Sequence, residues 1–153
     1  MNILVIKLSA IGDVIHALPV SRAVKETFPE ALLTWAVEPP ARDLLVDNPY
    51  IDEVLVFEKK KFKASLRGFW ENFFPFRQKL RKGRFDVALD LQGLGKSAAI
   101  AFFSDAPRRY GTADMREGSG WVSKPVRGPN AKGHIVERYL DVARAAGCRV
   151  EKV

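Results

Sequence analysis

Residues 3–8, Ile-Leu-Val-Ile-Lys-Leu, make a nearly continuous aliphatic run that passes straight into a small-residue turn, Ser9-Ala10-Ile11-Gly12-Asp13. A strand apolar on alternate positions can leave one face in water, but a strand apolar throughout must be covered on both faces, as happens in parallel sheets flanked by helices. The following residues support that reading. Over residues 14–28, Val14, Leu18, Ala23 or Val24, and Phe28 recur at helical spacing, and Pro29 ends the run. A buried strand, a tight turn and an amphipathic helix constitute the first half of a βαβ unit, whose crossover is right-handed.

The alternation continues along the chain. Residues 32–37 read as a second strand, 41–46 as a short helix opened by Pro39-Pro40, and 53–57 as a third strand. Residues 85–91 form a further strand, 95–103 a helix, and 109–111 a short strand after the turn at Pro107. An amphipathic helix over residues 134–146 is closed by Gly147. The expected fold class is α/β, a parallel sheet flanked by helices. Two stretches break the rhythm. Residues 58–84 mix cations with aromatics, and Pro75 is expected to kink or split any helix there. Residues 112–133 are rich in Gly, Pro and charge and read as the longest loop.

Composition narrows the function classes. With 153 residues, 47% hydrophobic and 28% charged, the chain is of ordinary size for one globular domain. No apolar run approaches the ~20 residues that cross a bilayer. The amino terminus lacks a basic segment and a cleavage site, so no signal peptide and residence in the cytosol are expected. Cys148 is the lone cysteine, and His16 and His134 are far apart, so neither an intramolecular disulfide nor a protein-held metal is expected. A net charge of +7 favours acidic partners: nucleic acid, phosphorylated metabolites or an anionic lipid surface.

In an open parallel sheet, ligands collect at the carboxyl ends of the strands, where residues 9–13 and 92–96 are both expected. Neither segment contains a dinucleotide fingerprint or a P-loop. Ser9 and Gly12 belong to the first turn, where Gly12 permits close backbone approach or positive φ. Asp13 reads either as a first-turn carboxylate that complements the helix dipole or as a base accepting a hydroxyl proton. Lys96 stands at a helix start, where a cation opposes the dipole, so a site that wants positive charge is the better explanation. Gln92 either meets a sugar hydroxyl or serves the loop backbone. The cations Lys59, Lys60, Lys61, Lys63 and Arg67, with Phe69, Trp70, Phe73, Phe74 and Phe76, read either as a solvated face backed by core aromatics or as an interfacial patch for a membrane. Arg116-Glu117 reads as a surface ion pair or as part of a binding site, and His134 as a capping or packing residue.

Four segments carry a family resemblance: "ILVIKLSAIGDVIHALP" at 3–19, "WAVE" at 35–38, "DLQGLGKSA" at 90–98, and "MREG" at 115–118 followed by "HIVERYL" at 134–140. In order and spacing they resemble the amino-terminal half of lipopolysaccharide heptosyltransferases of glycosyltransferase family 9, the heptosyltransferase I type in particular. The resemblance implies a GT-B fold of two Rossmann-like domains facing across a cleft. The amino-terminal domain would receive the acceptor, a Kdo sugar on lipid A, and the carboxyl-terminal domain the donor ADP-heptose. It further implies transfer with inversion at the anomeric carbon, no protein-bound metal or other cofactor, and work at the cytoplasmic face of an anionic inner membrane. Carried over by position, Asp13 matches the general base, and Lys96 and Arg116 match acceptor-side cations. Lys60 stands for one of the three cations at 59–61, and Ser9, Gly12, Gln92 and Glu117 complete the acceptor-side set. Family members run to more than twice this length. The donor-binding half would therefore lie outside these residues, and the chain alone is expected to hold acceptor weakly and not to catalyse transfer. The rival reading is a non-catalytic basic module for an anionic lipid, nucleotide or nucleic acid, the last disfavoured by the resemblance.

Overall fold

The computed structural model describes residues 1–115, 117–129 and 133–149. Six parallel strands form its centre: β1 (Asn2–Ile6), β2 (Leu32–Val37), β3 (Glu53–Val56), β4 (Val87–Asp90), β5 (Arg108–Thr112) and β6 (Lys124–Val126), in the order β3-β2-β1-β4-β5-β6. The chain winds outward from β1 in one direction and returns to start again on its other side with β4. That reversal opens a crevice at the carboxyl ends of β1 and β4.

The helices are α1 (Ile11–Thr27), α2 (Lys59–Lys63), α3 (Leu66–Lys82), α4 (Gly95–Phe103), α5 (Ser119–Val122) and α6 (Ile135–Ala145). The aliphatic run of β1 feeds two cores by simple alternation. Ile3 and Val5 pack with Val14, Val20 and Val24 of α1 and with Leu140 and Val142 of α6. Leu4 and Ile6 pack on the opposite face with Leu80 of α3 and Ile100 and Ala101 of α4. All four β1 side chains are 2% exposed or less, and burial of each contributes about 1.5–3 kcal/mol. Trp35 on β2 is fully buried, with its indole N–H donating to the Lys7 carbonyl at 3.1 Å.

Several expectations need correction. The short helix near residues 41–46 is a 3₁₀ helix, Pro39–Leu44, beginning at the prolines themselves. Pro75 neither splits nor ends α3, which runs unbroken through it. Pro75 is exposed, so the Glu71 carbonyl that loses its donor faces solvent. The actual break falls at Ser65, whose Oγ accepts from the Gly68 N–H at 2.9 Å and caps α3. Residues 112–133 are not one loop: they contain α5 and the edge strand β6, which pairs with β5 through Tyr110 to Lys124 and Thr112 to Val126. Three residues with a central proline carry no strand pattern, yet proline is tolerated on a sheet edge.

Candidate active site

The turn after β1 and the turn after β4 meet on one rim and hold each other in place. Gln92 Oε1 accepts from the amides of Leu8 at 3.1 Å and Ser9 at 3.4 Å, so the backbone-serving role of this side chain is the one observed. The turn around Gln92 is itself built on Asp90, which is fully buried at the end of β4. Its Oδ1 accepts from the amides of Gln92 (3.0 Å) and Gly93 (2.9 Å), and its Oδ2 accepts from the Ser97 hydroxyl (3.1 Å). Burial pushes the Asp90 carboxyl above the usual carboxylate range, against the pull of the Gly93 amide, the Ser97 hydroxyl, the Gln92 amide and the Lys7 charge. Gly93 takes φ +70°, a left-handed conformation that closes this turn at small cost only for glycine.

Asp13 stands exposed in the first turn of α1, with Oδ2 accepting from the Ala10 amide at 3.3 Å. It therefore satisfies the helix-start role, while its other oxygen has no protein donor among the described residues. Gly12 does not use positive φ, contrary to one expectation, and outside its chain neighbours and its own helix backbone no atom lies within 4 Å of the place its Cβ would occupy. The backbone beside Asp13 is open to an incoming group.

Lys7 is the residue sequence reasoning missed. It is 5% exposed and lies on the α1–α6 face, with its ammonium 5.5 Å from the centre of the Tyr139 ring. Burial holds that ammonium below the usual lysine range; Asp13 and then Asp90 pull it back, and Lys96 opposes them. Burial, and next the Asp13 charge, push the Tyr139 hydroxyl up to about 12. A buried lysine thus feels the charge of an exposed carboxylate. The signal was present as one lysine inside an otherwise aliphatic strand end.

Lys96 is not free at the start of α4. Its Nζ lies 2.5 Å from Glu38 Oε1, and the side chains are 24% and 15% exposed. Glu38 follows β2, so this pair bridges the turns after β2 and β4. The acid that compensates the α4 terminus comes from another segment: Glu117 Oε2 accepts from the Gly95 amide at 2.7 Å. Arg116 lies outside the described residues. Lys60 is exposed on α2 beyond edge strand β3 and contacts none of these groups. His134 caps α6, its Nδ1 accepting from the Val136 amide at 3.2 Å, and its ring meets His16 edge-on at 5.6 Å. Elsewhere, a groove of about 850 Å³ between α3 and the outer strands β2 and β3 includes none of the rim residues named here.

The rim therefore offers an exposed carboxylate at a helix start, a buried lysine behind it, and an acid–base pair beside it: groups suited to orient a hydroxyl and take up its proton. No helix among the described residues is long and apolar enough to cross a membrane.

The chain is similar to known proteins along most of its length. The chain is 25% identical over 149 residues to the lipopolysaccharide core heptosyltransferase OpsX of Haemophilus influenzae, covering 95% of this chain and 40% of that protein. It is 30% identical over 103 residues to lipopolysaccharide heptosyltransferase 1 of Pseudomonas aeruginosa, covering 64% of this chain and 28% of the relative. In structure it superposes along its whole length on half of the E. coli heptosyltransferase WaaC solved with ADP, with a TM-score of 0.84 at 23% identity. The fold is accordingly the Rossmann-like half of a GT-B enzyme, and the chain spans less than half the length of the two relatives named. Residues 73–152 match the model of glycosyltransferase family 9 (heptosyltransferase), more than half of the 153, and the chain belongs to that family.

Proposed function

We propose that this chain is the acceptor-binding domain of a glycosyltransferase that moves heptose from ADP-heptose to the Kdo of lipid A–Kdo in the lipopolysaccharide inner core. The reading rests chiefly on Asp13, exposed on the rim with one carboxylate oxygen uncommitted and with Lys7 buried behind it. The acceptor hydroxyl attacks the anomeric carbon of heptose as the bond to the ADP oxygen breaks, and Asp13 takes the hydroxyl proton; ADP leaves as the anion from the donor-binding half. Attack from the face opposite the leaving group inverts the anomeric centre. An ionised carboxylate is a weak base, so it acts by aligning the hydroxyl and accepting its proton late, as positive charge grows at carbon. Arg116 and one lysine of 59–61 hold anionic groups of the acceptor, joined by Lys96 when an acceptor anion displaces its Glu38 partner, and the enzyme works against the cytoplasmic face of an anionic membrane. A facing donor-binding domain excludes water and completes the site, so residues 1–153 by themselves turn over no sugar.

The test is transfer by the chain supplied with a donor-binding half, by fusion or in trans. Asp13→Asn lowers kcat by about 10²–10⁴-fold, with an unchanged circular dichroism spectrum. Undiminished transfer by the folded variant overturns the assignment.

A further inference from the structure

We infer that the aromatic cavity between α2, α3 and α4 binds the hydrocarbon chain of an amphiphile with an anionic head group. The cavity, about 200 Å³, is lined by Phe57, Phe62, Phe73, Phe76, Ile100 and Phe103. The pocket opens to solvent on one side, so a hydrocarbon chain can enter it, and enclosed apolar cavities of about 150 Å³ walled by such side chains accept hydrocarbons. The polar side chains in this wall are Lys96 and Arg77, both cations. Lys96 is paired with Glu38, whereas Arg77 has its Nε buried without a hydrogen-bond partner among the described residues, and its guanidinium carbon is 5.7 Å from the Phe103 ring centre. An uncompensated donor beside an apolar void fits an apolar chain that ends in phosphate or carboxylate.

The surroundings suit the approach of such a ligand. Trp70 stacks on Phe74 at 5.8 Å, Phe73 meets Phe103 at 5.0 Å, and Phe102 meets Phe103 at 5.2 Å, a continuous band of rings across α3 and α4. Trp70, Phe74 and Phe102 are each about half exposed, and Leu66 is 78% exposed. Segment 58–84 carries ten lysines and arginines against two glutamates, complementary to an anionic head. The core and the interfacial readings of this segment thus divide by residue: Phe62 and Phe76 pack inward against Phe57, while Trp70 and Phe74 remain outside. The inference rests on the cavity alone and does not require the sugar transfer proposed above.

Decyl phosphate, kept below its micelle concentration, is titrated into the chain while Trp fluorescence and thermal unfolding are followed. Decanol, decyltrimethylammonium and inorganic phosphate serve as comparators. Saturable binding of decyl phosphate about tenfold tighter than that of decanol or the cationic amphiphile is expected, with no response to inorganic phosphate. Ala99→Trp, at an exposed α4 position lining the cavity, weakens decyl phosphate binding about tenfold or more; Ala99→Leu does so less and serves if the tryptophan variant is unfolded. Arg77→Leu removes the preference for decyl phosphate over decanol while decanol still binds. Equal binding of the cationic amphiphile, or full binding by both folded Ala99 variants, overturns the inference. Vesicles of phosphatidylglycerol and of phosphatidylcholine separate the sources: anionic-vesicle binding that survives in the Ala99 variants, with no decyl phosphate binding by the original chain, also overturns it and assigns the rings to surface adsorption.

Discussion

At the rim, α1 and α4 both begin at the carboxyl end of a buried central strand, and both present unpaired amides to the same crevice. They deal with them differently. The start of α1 carries its own acid, Asp13, three residues after the Ala10 amide that it accepts from. The start of α4 carries a cation, Lys96, and takes its acid from Glu117, 22 residues beyond Gly95. Beneath it, Asp90 is a buried carboxylate satisfied by three donors. An acid that is exposed and only partly used is available for chemistry. One that is buried and fully used builds the turn. One carboxylate thus keeps an oxygen uncommitted while the other is committed to structure, although both stand near the carboxyl ends of adjacent strands.

Three experiments sharpen that contrast, in order of expected effect. Asp90→Ala leaves the Gln92 and Gly93 amides without an acceptor, while the Ser97 hydroxyl keeps the Leu94 carbonyl at 2.8 Å; at about 1–3 kcal/mol for each orphaned group, a loss of roughly 2 kcal/mol or more is expected in urea unfolding. A cost below about 1 kcal/mol would mean that the turn after β4 does not depend on this carboxylate. Glu117→Ala, measured the same way, removes the acceptor from the Gly95 amide and costs about 1 kcal/mol. Asp13→Ala costs less than Glu117→Ala because its bond to Ala10 is longer, at 3.3 Å against 2.7 Å. The reverse order would return Asp13 to a purely structural role.

The smallest effect is on pH dependence. Lys7 titrates below its unfolded value of 10.5 because burial disfavours the ammonium. Between the lowered value and 10.5 the unfolded chain binds more protons than the folded one, so this lysine makes stability rise with pH through that window. Tyr139, raised from 10.0 to about 12, and Cys148, raised by burial from 9.0 to about 11, act in the opposite sense, because their folded forms keep protons that the unfolded chain releases. The observable is therefore the difference between the original chain and Lys7→Met, which loses the rising contribution of Lys7 and is more stable near neutrality. Parallel stability curves for the two would show that the lysine is not desolvated as the structure places it.

Much of the fold was legible because it is locally encoded. The aliphatic run of β1, the helical spacing after Asp13, and the glycines around Gln92 each carry their own signal, and the bounds of β2 and α4 agree with the expected residues. What escaped depended on neighbours. β6 is a strand because β5 offers it an edge, and α3 runs through Pro75 because that side faces water. On the rim, Asp13 and Lys96 were singled out by type and position. The Glu38 partner of Lys96 and the Glu117 bond to Gly95 are made across 58 and 22 residues, beyond any local pattern.

The sequence by itself determined the α/β class, the order of most elements, the rim where the turns after β1 and β4 meet and the family, since periodicity, turn residues and motif spacing act over short stretches of chain. The tertiary structure alone decided which charges are free. Parallel pairing brings the ends of β1, β2 and β4 together and buries Lys7 behind Asp13 while tying Lys96 to Glu38. The energy of a charge depends on its desolvation and its nearest partners, and those are set only once the strands have packed.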